Sequence, residues 1–221
     1  MTLDPLKVKE DFPILKRQIR GKPLVFLDSG ASSQKPRIVI DAISSFYETN
    51  YANVHRGVYL LSQEASELYE NVRDKVCEYL GRPKTEEVIF TSGATDAVNL
   101  VATALERRDL GQFGDIGPGD DIVVTRMEHH ANFVPWQQLA LKKKANFKIT
   151  ELTADGRIDM EDFKKKLSGR PKIVAFTMMS NVLGTVNPVR EMATLAKKAG
   201  ALVFIDGAQG VVHLNFKISD L

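Results

Sequence analysis

Short apolar runs alternate with helical patterns along most of the chain. The runs are rich in Val, Ile or Phe, have the length of β-strands, and are mostly continuous, as in strands that are covered on both faces. The five predicted strands are residues 87–91, 121–127, 147–152, 172–177 and 201–206. Continuous strands of this kind are typical of a parallel sheet that lies between two layers of helices.

Apolar residues recur at helical spacing before and between these runs. The predicted helices are one opened by Pro36, one over residues 61–80 that ends at Gly81, one over residues 97–105, a short one around Trp136, one with Asp159 as N-cap, and one with Asn187 as N-cap, Pro188 as first residue and Gly200 as stop. The alternation predicts an α/β fold, with a mostly parallel sheet, helices on both faces and right-handed crossovers.

Composition narrows the class of protein. The 221 residues are 43% hydrophobic and 26% charged, which is typical of a folded chain, and the net charge of +2 gives no support for nucleic-acid or membrane binding. The single cysteine, Cys77, excludes an intramolecular disulfide and a cysteine-cluster metal site, and a lone thiol fits the reducing cytoplasm. The sequence shows neither a signal-peptide core nor a run of about 18 apolar residues, so we predict a cytoplasmic protein.

Residues 91–96, Thr-Ser-Gly-Ala-Thr-Asp, lead from the first predicted strand directly into a helix. Small residues allow a ligand to approach the backbone, and the first amides of a helix have no partner within the helix. Together with the helix dipole, they favour an anion such as phosphate. The alternative is that Thr or Ser here only caps the helix.

Polar residues follow three of the other predicted strands. His129 follows the second strand, Asn181 the fourth, and Asp206 and Gln209 the fifth. In α/β proteins ligands bind at the carboxyl ends of parallel strands, and a carboxylate between apolar neighbours needs a cationic partner. The alternatives are an ordinary loop histidine and a helix-capping aspartate. Taken together, these residues predict a cofactor crevice.

Several motifs resemble those of the SufS-type cysteine desulfurases, which belong to the class V aminotransferase family of pyridoxal-phosphate enzymes. The most specific are Met-Glu-His-His-Ala-Asn at residues 127–132, followed by Val-Pro-Trp, and Ser-Asn-Val-Leu-Gly-Thr at residues 180–185. Residues 27–36 and 53–57 also match, and Asp-Gly-Ala-Gln at residues 206–209 is shared with the wider family. The resemblance runs from about residue 11 to the end of the chain.

The resemblance implies roles for the residues that match. Ala94 and Thr95 are expected to hold the phosphate of pyridoxal 5'-phosphate, His129 to lie over its ring and to transfer protons, and Asp206 to pair with the ring nitrogen. Gln209 is expected to donate a hydrogen bond to the ring hydroxyl oxygen.

Two further matches concern the substrate. Asn181 is expected beside the same ring oxygen and the substrate carboxylate, and His55 is placed near the substrate. The implied reaction removes sulfur from L-cysteine, giving alanine and an enzyme persulfide for iron–sulfur cluster assembly. The implied partners are a sulfur-acceptor protein and a second copy of the chain in a homodimer.

Two alternatives remain open at this stage. Within the family, the chain resembles a selenocysteine lyase, which acts on L-selenocysteine, or another class V enzyme almost as well. Outside it, the chain is a non-catalytic binding or assembly module.

The family's cofactor-linked lysine and its persulfide cysteine lie beyond the Asp206 motif. Lys217 has a different sequence context and is expected at the surface, and Cys77 falls within a helical apolar stripe. We therefore expect an N-terminal segment, residues 1–26, and a partial fold type I large domain, residues 27–221, that is inactive alone.

Overall fold

The computed structural model describes residues 3–81, 88–107 and 115–220. The chain divides into two compact units, Met1–Val76 and Cys77–Leu221. The boundary predicted after residue 26 stays a prediction.

The described residues of the first unit form two helices, most of a third helix, a short 3-10 helix at Pro13–Lys16 and a small hairpin. Helix α1, Pro5–Glu10, is capped by Asp4, whose side chain accepts a hydrogen bond from the Leu6 amide. Strands β1, Gln18–Ile19, and β2, Lys22–Pro23, pair antiparallel. Helix α2, Arg37–Thr49, follows Pro36 as predicted, and helix α3, Leu60–Leu80, begins in this unit.

The second unit is built on a four-stranded parallel sheet. Its strands are β3, Asp121–Thr125; β4, Asn146–Thr150; β5, Pro171–Thr177; and β6, Leu202–Asp206. The order across the sheet is β4-β3-β5-β6, and each neighbouring pair is parallel. Four of the five predicted strands are therefore confirmed, because a continuous apolar run is stable where both faces are covered.

Helices cover both faces of this sheet, as predicted. They are α4, Ala94–Arg107; α5, Val134–Lys143; α6, Met160–Leu167; α7, Val189–Lys198; and the short α8, Gly210–His213. Val123 packs with α6 and α7, whereas its neighbours Ile122 and Val124 pack with α4 and α5. This division follows from the alternation of side chains along a strand, and it gives the unit two apolar cores.

The strand predicted at residues 87–91 is not observed. Glu87 lies outside the described residues, and residues 88–91 carry no strand pairing. The side chain of Ile89 is 70% exposed. An apolar run becomes a strand only when another strand supplies its backbone partners, and the sheet that the structure describes supplies none here.

The predicted start of the last long helix also needs correction. Helix α7 begins at Val189, with Pro188 rather than Asn187 at the N-cap position. The Asn187 side chain is buried and donates to the Thr177 carbonyl oxygen at 2.8 Å. It therefore satisfies the end of β5 instead of the helix amides. The other predicted signals hold: Asp159 caps α6, and Gly200 follows α7 with a positive φ of 83°.

Among the described residues, no helix is both long enough and apolar enough to cross a membrane.

Candidate active site

The carboxyl ends of β3, β5 and β6 lie side by side. Thr177 and Asp206 are partners in the β5–β6 register, and β3 pairs with β5 on the other side. This parallel arrangement brings residues 126–132, which follow β3, to the same edge as Asp206. We call this edge the carboxyl edge.

Asp206 is buried at the end of β6, with 8% of the residue exposed. Its Oδ1 atom accepts a hydrogen bond from the Ala208 amide at 2.9 Å. Within the described parts of the chain, no side chain or backbone group donates to its Oδ2 atom, and no cation forms an ion pair with it. A buried carboxylate with this little compensation is costly, so the site favours a ligand that brings a positive charge or a strong donor.

Glu128 is a second acid at the carboxyl edge, and it is partly buried. Its Oε1 atom accepts from the Thr125 hydroxyl and from the Thr177 amide, at 3.1 Å for the amide, and its Oε2 atom accepts from the Asn132 side-chain amide at 2.7 Å. Burial raises the pKa of Glu128 to about 7; the three hydrogen bonds oppose this increase, and the nearby charge of Asp206 adds to it. The group therefore changes charge close to neutral pH.

His129 lies between Glu128 and a short 3-10 turn, His130–Asn132. The backbone of His129 is extended, and its Nδ1 atom accepts a hydrogen bond from the Ala131 amide at 3.1 Å. The ring is exposed rather than packed in the core. His129 is thus held by its own turn and keeps one face of the imidazole available to a ligand.

A cavity of about 520 Å³ lies between α4 and α5. Thr95 at the start of α4 and His129 both line it, so the structure brings these two predicted residues together. Ala94 is the first residue of α4, and it is exposed. The Ser92 amide donates to the Asp96 side chain, and within the described residues the Ala94 and Thr95 amides have no acceptor.

The remaining predicted residues have local surroundings. Asn181 is exposed in a turn whose amides at Val182 and Leu183 donate to the Ser180 hydroxyl. Gln209 is partly buried at the N-cap position of α8. Asn181 follows β5 and Gln209 follows β6, so both belong to the carboxyl edge, although neither lines the cavity between α4 and α5.

His55 belongs to the first unit, where it has a positive φ of 67°. Its Nε2 atom lies 3.1 Å from a Glu70 carboxylate oxygen, and its amide donates to the Ser66 hydroxyl at 2.8 Å. These contacts give His55 a defined local position, and its role toward a substrate stays a prediction.

Cys77 and Lys217 have structural surroundings. Cys77 is buried in α3, as the helical stripe predicted. Lys217 is not a free surface lysine: its ammonium donates to the carbonyl oxygens of Glu78 and Tyr79, at 3.0 and 2.7 Å. Lysines near a helix end often satisfy the last carbonyl groups in this way.

Sequence reasoning missed the contribution of Glu128, Asn132 and Trp136. The Asn132 side-chain oxygen accepts from the indole nitrogen of Trp136 at 2.9 Å, and the Asn132 side-chain nitrogen donates to Glu128. The three residues recur at intervals of four, the spacing that aligns side chains on one face of a helical segment. That spacing was the available signal, although the sequence does not show the Thr177 amide that completes the group.

No group of three or more His, Cys, Asp or Glu side chains that is arranged to hold a metal ion occurs in the part of the chain that the structure describes.

A model of the family described as "Aminotransferase class-V" matches residues 25–221. Among curated proteins, the chain is 45% identical over 215 residues to a probable cysteine desulfurase of Halalkalibacterium halodurans, and this match covers 97% of the chain and 52% of the relative. It is 46% identical over 220 residues to a probable cysteine desulfurase of Streptomyces coelicolor, covering 99% of the chain and 52% of the relative. The chain spans about half the length of the curated relatives it matches.

Solved structures give the same result for the fold. The apo structure of the cysteine desulfurase from Thermococcus onnurineus NA1 matches with a TM-score of 0.86 at 34% identity. The match covers 100% of this chain and 52% of that one.

Proposed function

Because the chain belongs to the class-V aminotransferase family, we propose that its carboxyl edge holds pyridoxal 5'-phosphate in a cysteine desulfurase. The overall reaction converts L-cysteine and an enzyme cysteine thiol into alanine and an enzyme persulfide. The names of the curated relatives support this substrate over L-selenocysteine. The observation that carries the proposal is the buried carboxylate of Asp206, which lacks a cationic partner among the described residues.

Asp206 fits the protonated ring nitrogen of the cofactor. That group supplies one positive charge and one N–H donor, which are what the buried carboxylate needs. When bound, the cofactor supplies an electron sink for the substrate carbon whose bonds are rearranged. The role of Asp206 is to keep the ring nitrogen protonated, because its negative charge favours the N–H form.

The start of α4 fits the phosphate. The amides of Ala94 and Thr95, for which no acceptor occurs among the described residues, point toward the helix N-terminus, and the Thr95 hydroxyl adds another donor. Thr95 lines the same cavity as His129, so a ligand anchored there by its phosphate extends toward the imidazole. His129 packs over the ring and moves a proton at its Nε2 atom, because Nδ1 already accepts from the Ala131 amide.

Asn181 and Gln209 complete the proposed site. Both carry side-chain amides at the carboxyl edge, after β5 and β6 respectively. We assign Gln209 to the ring hydroxyl oxygen, and Asn181 to the same oxygen and the substrate carboxylate. His55 is assigned to the substrate.

The proposal also covers where the protein acts and which partners it has. We propose that the protein acts in the cytoplasm, works as a homodimer, and passes sulfur to an acceptor protein for iron–sulfur cluster assembly. The relatives' shared name supports the transfer of sulfur, and the single cysteine of the chain fits a reducing compartment.

The proposal is tested by cofactor binding. We expect Asp206→Ala to weaken the affinity for pyridoxal 5'-phosphate at least about tenfold, because the ring nitrogen loses its ion pair. The affinity is measured by equilibrium dialysis with absorbance detection. Asp155→Ala is the matched control, because Asp155 is exposed and pairs with Arg157 on the surface. Equal affinities of the two variants would refute the assignment of Asp206.

A further inference from the structure

The Glu128 carboxyl group accepts hydrogen bonds from both sides of its own segment and from the neighbouring strand β5. One donor is the hydroxyl of Thr125, the last residue of β3, and another is the amide of Thr177, the last residue of β5. The third is the side-chain amide of Asn132, at the end of the turn that carries His129. The turn is therefore anchored on both sides of His129, once through Glu128 itself and once through Asn132.

In this arrangement both carboxyl oxygens of Glu128 must act as hydrogen-bond acceptors. The indole N–H of Trp136 can only donate, so it fixes the Asn132 oxygen toward Trp136 and the Asn132 nitrogen toward Glu128. The Thr177 amide is also a fixed donor. A carboxylate accepts from both at once, whereas a glutamine would place its own NH₂ group against one of them.

The charges that face this group are few. Asp206 approaches from the end of β6, and the histidines at positions 129 and 130 flank Glu128 on its own segment. No lysine or arginine forms an ion pair with Glu128 within the described residues. The carboxyl group is therefore held by neutral donors beside another acid.

We propose that Glu128 is the positioning residue of this site, and that its carboxylate clamps β3, β5 and the turn at residues 129–132 so that His129 stays fixed at the carboxyl edge. The proposal rests on the proposed function only for the roles of His129 and Asp206 toward the cofactor. The clamp itself is a property of the chain. The three hydrogen bonds match the ionised group, whose two oxygens only accept; a proton on either oxygen, which the pKa of about 7 allows near neutral pH, turns that oxygen into a donor as well.

Trp136 supplies a direct readout, because it is the single tryptophan of the chain and is fully buried. Its indole N–H connects to Glu128 through Asn132 alone. A change in the charge of Glu128 should therefore shift the indole N–H resonance in the proton NMR spectrum. This measurement needs neither cofactor nor substrate.

The experiment follows the indole resonance from about pH 5 to about pH 9 in the cofactor-free protein. We expect a single titration step near pH 7 in the unaltered chain and none in Glu128→Gln. His129→Gln and His130→Gln should keep the step, since both retain Glu128. The matched control is Glu161→Gln, which removes an exposed carboxyl group on α6 and should also keep it.

Two results would overturn the clamp. One is a step that survives in Glu128→Gln, and the other is a step that disappears in either histidine variant. If Glu128→Gln does not fold, the carboxyl carbon of Glu128 is followed in the unaltered protein by carbon NMR. A titration near pH 7 then supports the proposal, and one near the ordinary glutamate value contradicts it.

Cofactor binding separates this inference from the proposed function. We expect Glu128→Gln to weaken binding of pyridoxal 5'-phosphate about tenfold at pH 8, with a smaller loss at pH 6, where the unaltered carboxyl group is itself protonated. A Glu128-dependent indole step without cofactor binding would leave the clamp standing and remove the proposed function. Binding that depends on Asp206 but not on Glu128 would do the reverse.

Discussion

The two ends of β3 each hold a buried or partly buried acid, and their surroundings differ in one respect. Asp121, at the amino end, is 2% exposed and lies 2.7 Å from the Lys148 ammonium. It also accepts from the Asn146 side chain and the Arg170 amide. Burial opposes its ionisation, but these donors outweigh the burial and lower the pKa of Asp121 below its ordinary value.

Glu128, just past the carboxyl end, has a similar number of donors but no cationic partner among the residues that the structure describes. Its three hydrogen bonds come from neutral groups, and the charge that acts on its pKa belongs to another acid, Asp206. The effect of burial therefore exceeds that of the hydrogen bonds, and the pKa of Glu128 rises to about 7. At the amino end of β3 the buried acid is paired with a lysine. At the carboxyl edge the acids lack such a partner, so a cationic ligand would balance their negative charge.

The largest expected effect on stability comes from removing Asp121, the acid that is paired with Lys148. Asp121→Ala leaves Lys148 without its carboxylate and two further donors, the Asn146 side chain and the Arg170 amide, without an acceptor, so the free energy of unfolding should fall by about 3 kcal/mol. Urea denaturation at pH 7 measures this change. Asp155→Ala, at an exposed ion pair, should leave it nearly unchanged. Similar losses in the two variants would show that the contacts of Asp121 do not stabilise the fold.

The second expected effect is that the free energy of unfolding depends on pH through Glu128, whose pKa is raised where that of Asp121 is lowered. Folded Glu128 keeps its proton up to about pH 7, whereas the unfolded chain loses it near the ordinary value of 4.5. The folded state therefore binds more protons in this window, and its free energy of unfolding should decrease by about 2 kcal/mol as the pH rises through it.

Glu128→Gln should remove that decrease. Urea denaturation of both proteins at about pH 5 and about pH 8 measures the difference between their slopes. Identical pH dependence in the two proteins would mean that the Glu128 carboxyl group titrates alike in the folded and unfolded states.

The smallest expected effect comes from removing the Thr125 hydroxyl, one of the three neutral donors to Glu128. The Thr125 hydroxyl donates to Glu128 and accepts from the Met127 amide at 3.2 Å. Thr125→Val should lower the free energy of unfolding by about 1 kcal/mol and raise the pKa of Glu128 further. Denaturation and the carboxyl carbon resonance measure these two changes. A lower pKa in the variant would contradict the role of the hydroxyl as a donor to the carboxylate.

The sequence predicted those parts of the fold that depend on local pattern. The strands β3 to β6 are continuous apolar runs, and their burial between two helical layers makes that pattern sufficient. Residues 88–91 have a similar pattern but no strand partner, so the prediction failed where pairing rather than composition decides. The prediction of Asn187 as N-cap failed because its side-chain nitrogen donates to the Thr177 carbonyl, and its side-chain oxygen, which a cap would use, has no donor among the described residues.

The candidate site shows the same limit. Asp206 was predictable from a carboxylate at the end of an apolar strand, and the structure places it at the carboxyl edge. Glu128 was not, because one of its donors, the Thr177 amide, lies 49 residues away and is supplied only by the pairing of β3 with β5. The spacing in the sequence connects Glu128 with Asn132 and Trp136, but only the tertiary structure brings the Thr177 amide to the Glu128 carboxyl group.

The lysine at position 217 also has a consequence for the order in which the second unit becomes complete. Its bonds to the carbonyl groups of Glu78 and Tyr79 connect residues 139 and 138 positions apart, and the Tyr79 hydroxyl donates to the Val211 carbonyl across 132 positions. Contacts this distant in sequence close large loops and form slowly. During synthesis, the last turn of α3 leaves the ribosome long before its partners, so it stays uncapped by them until the whole parallel sheet has emerged.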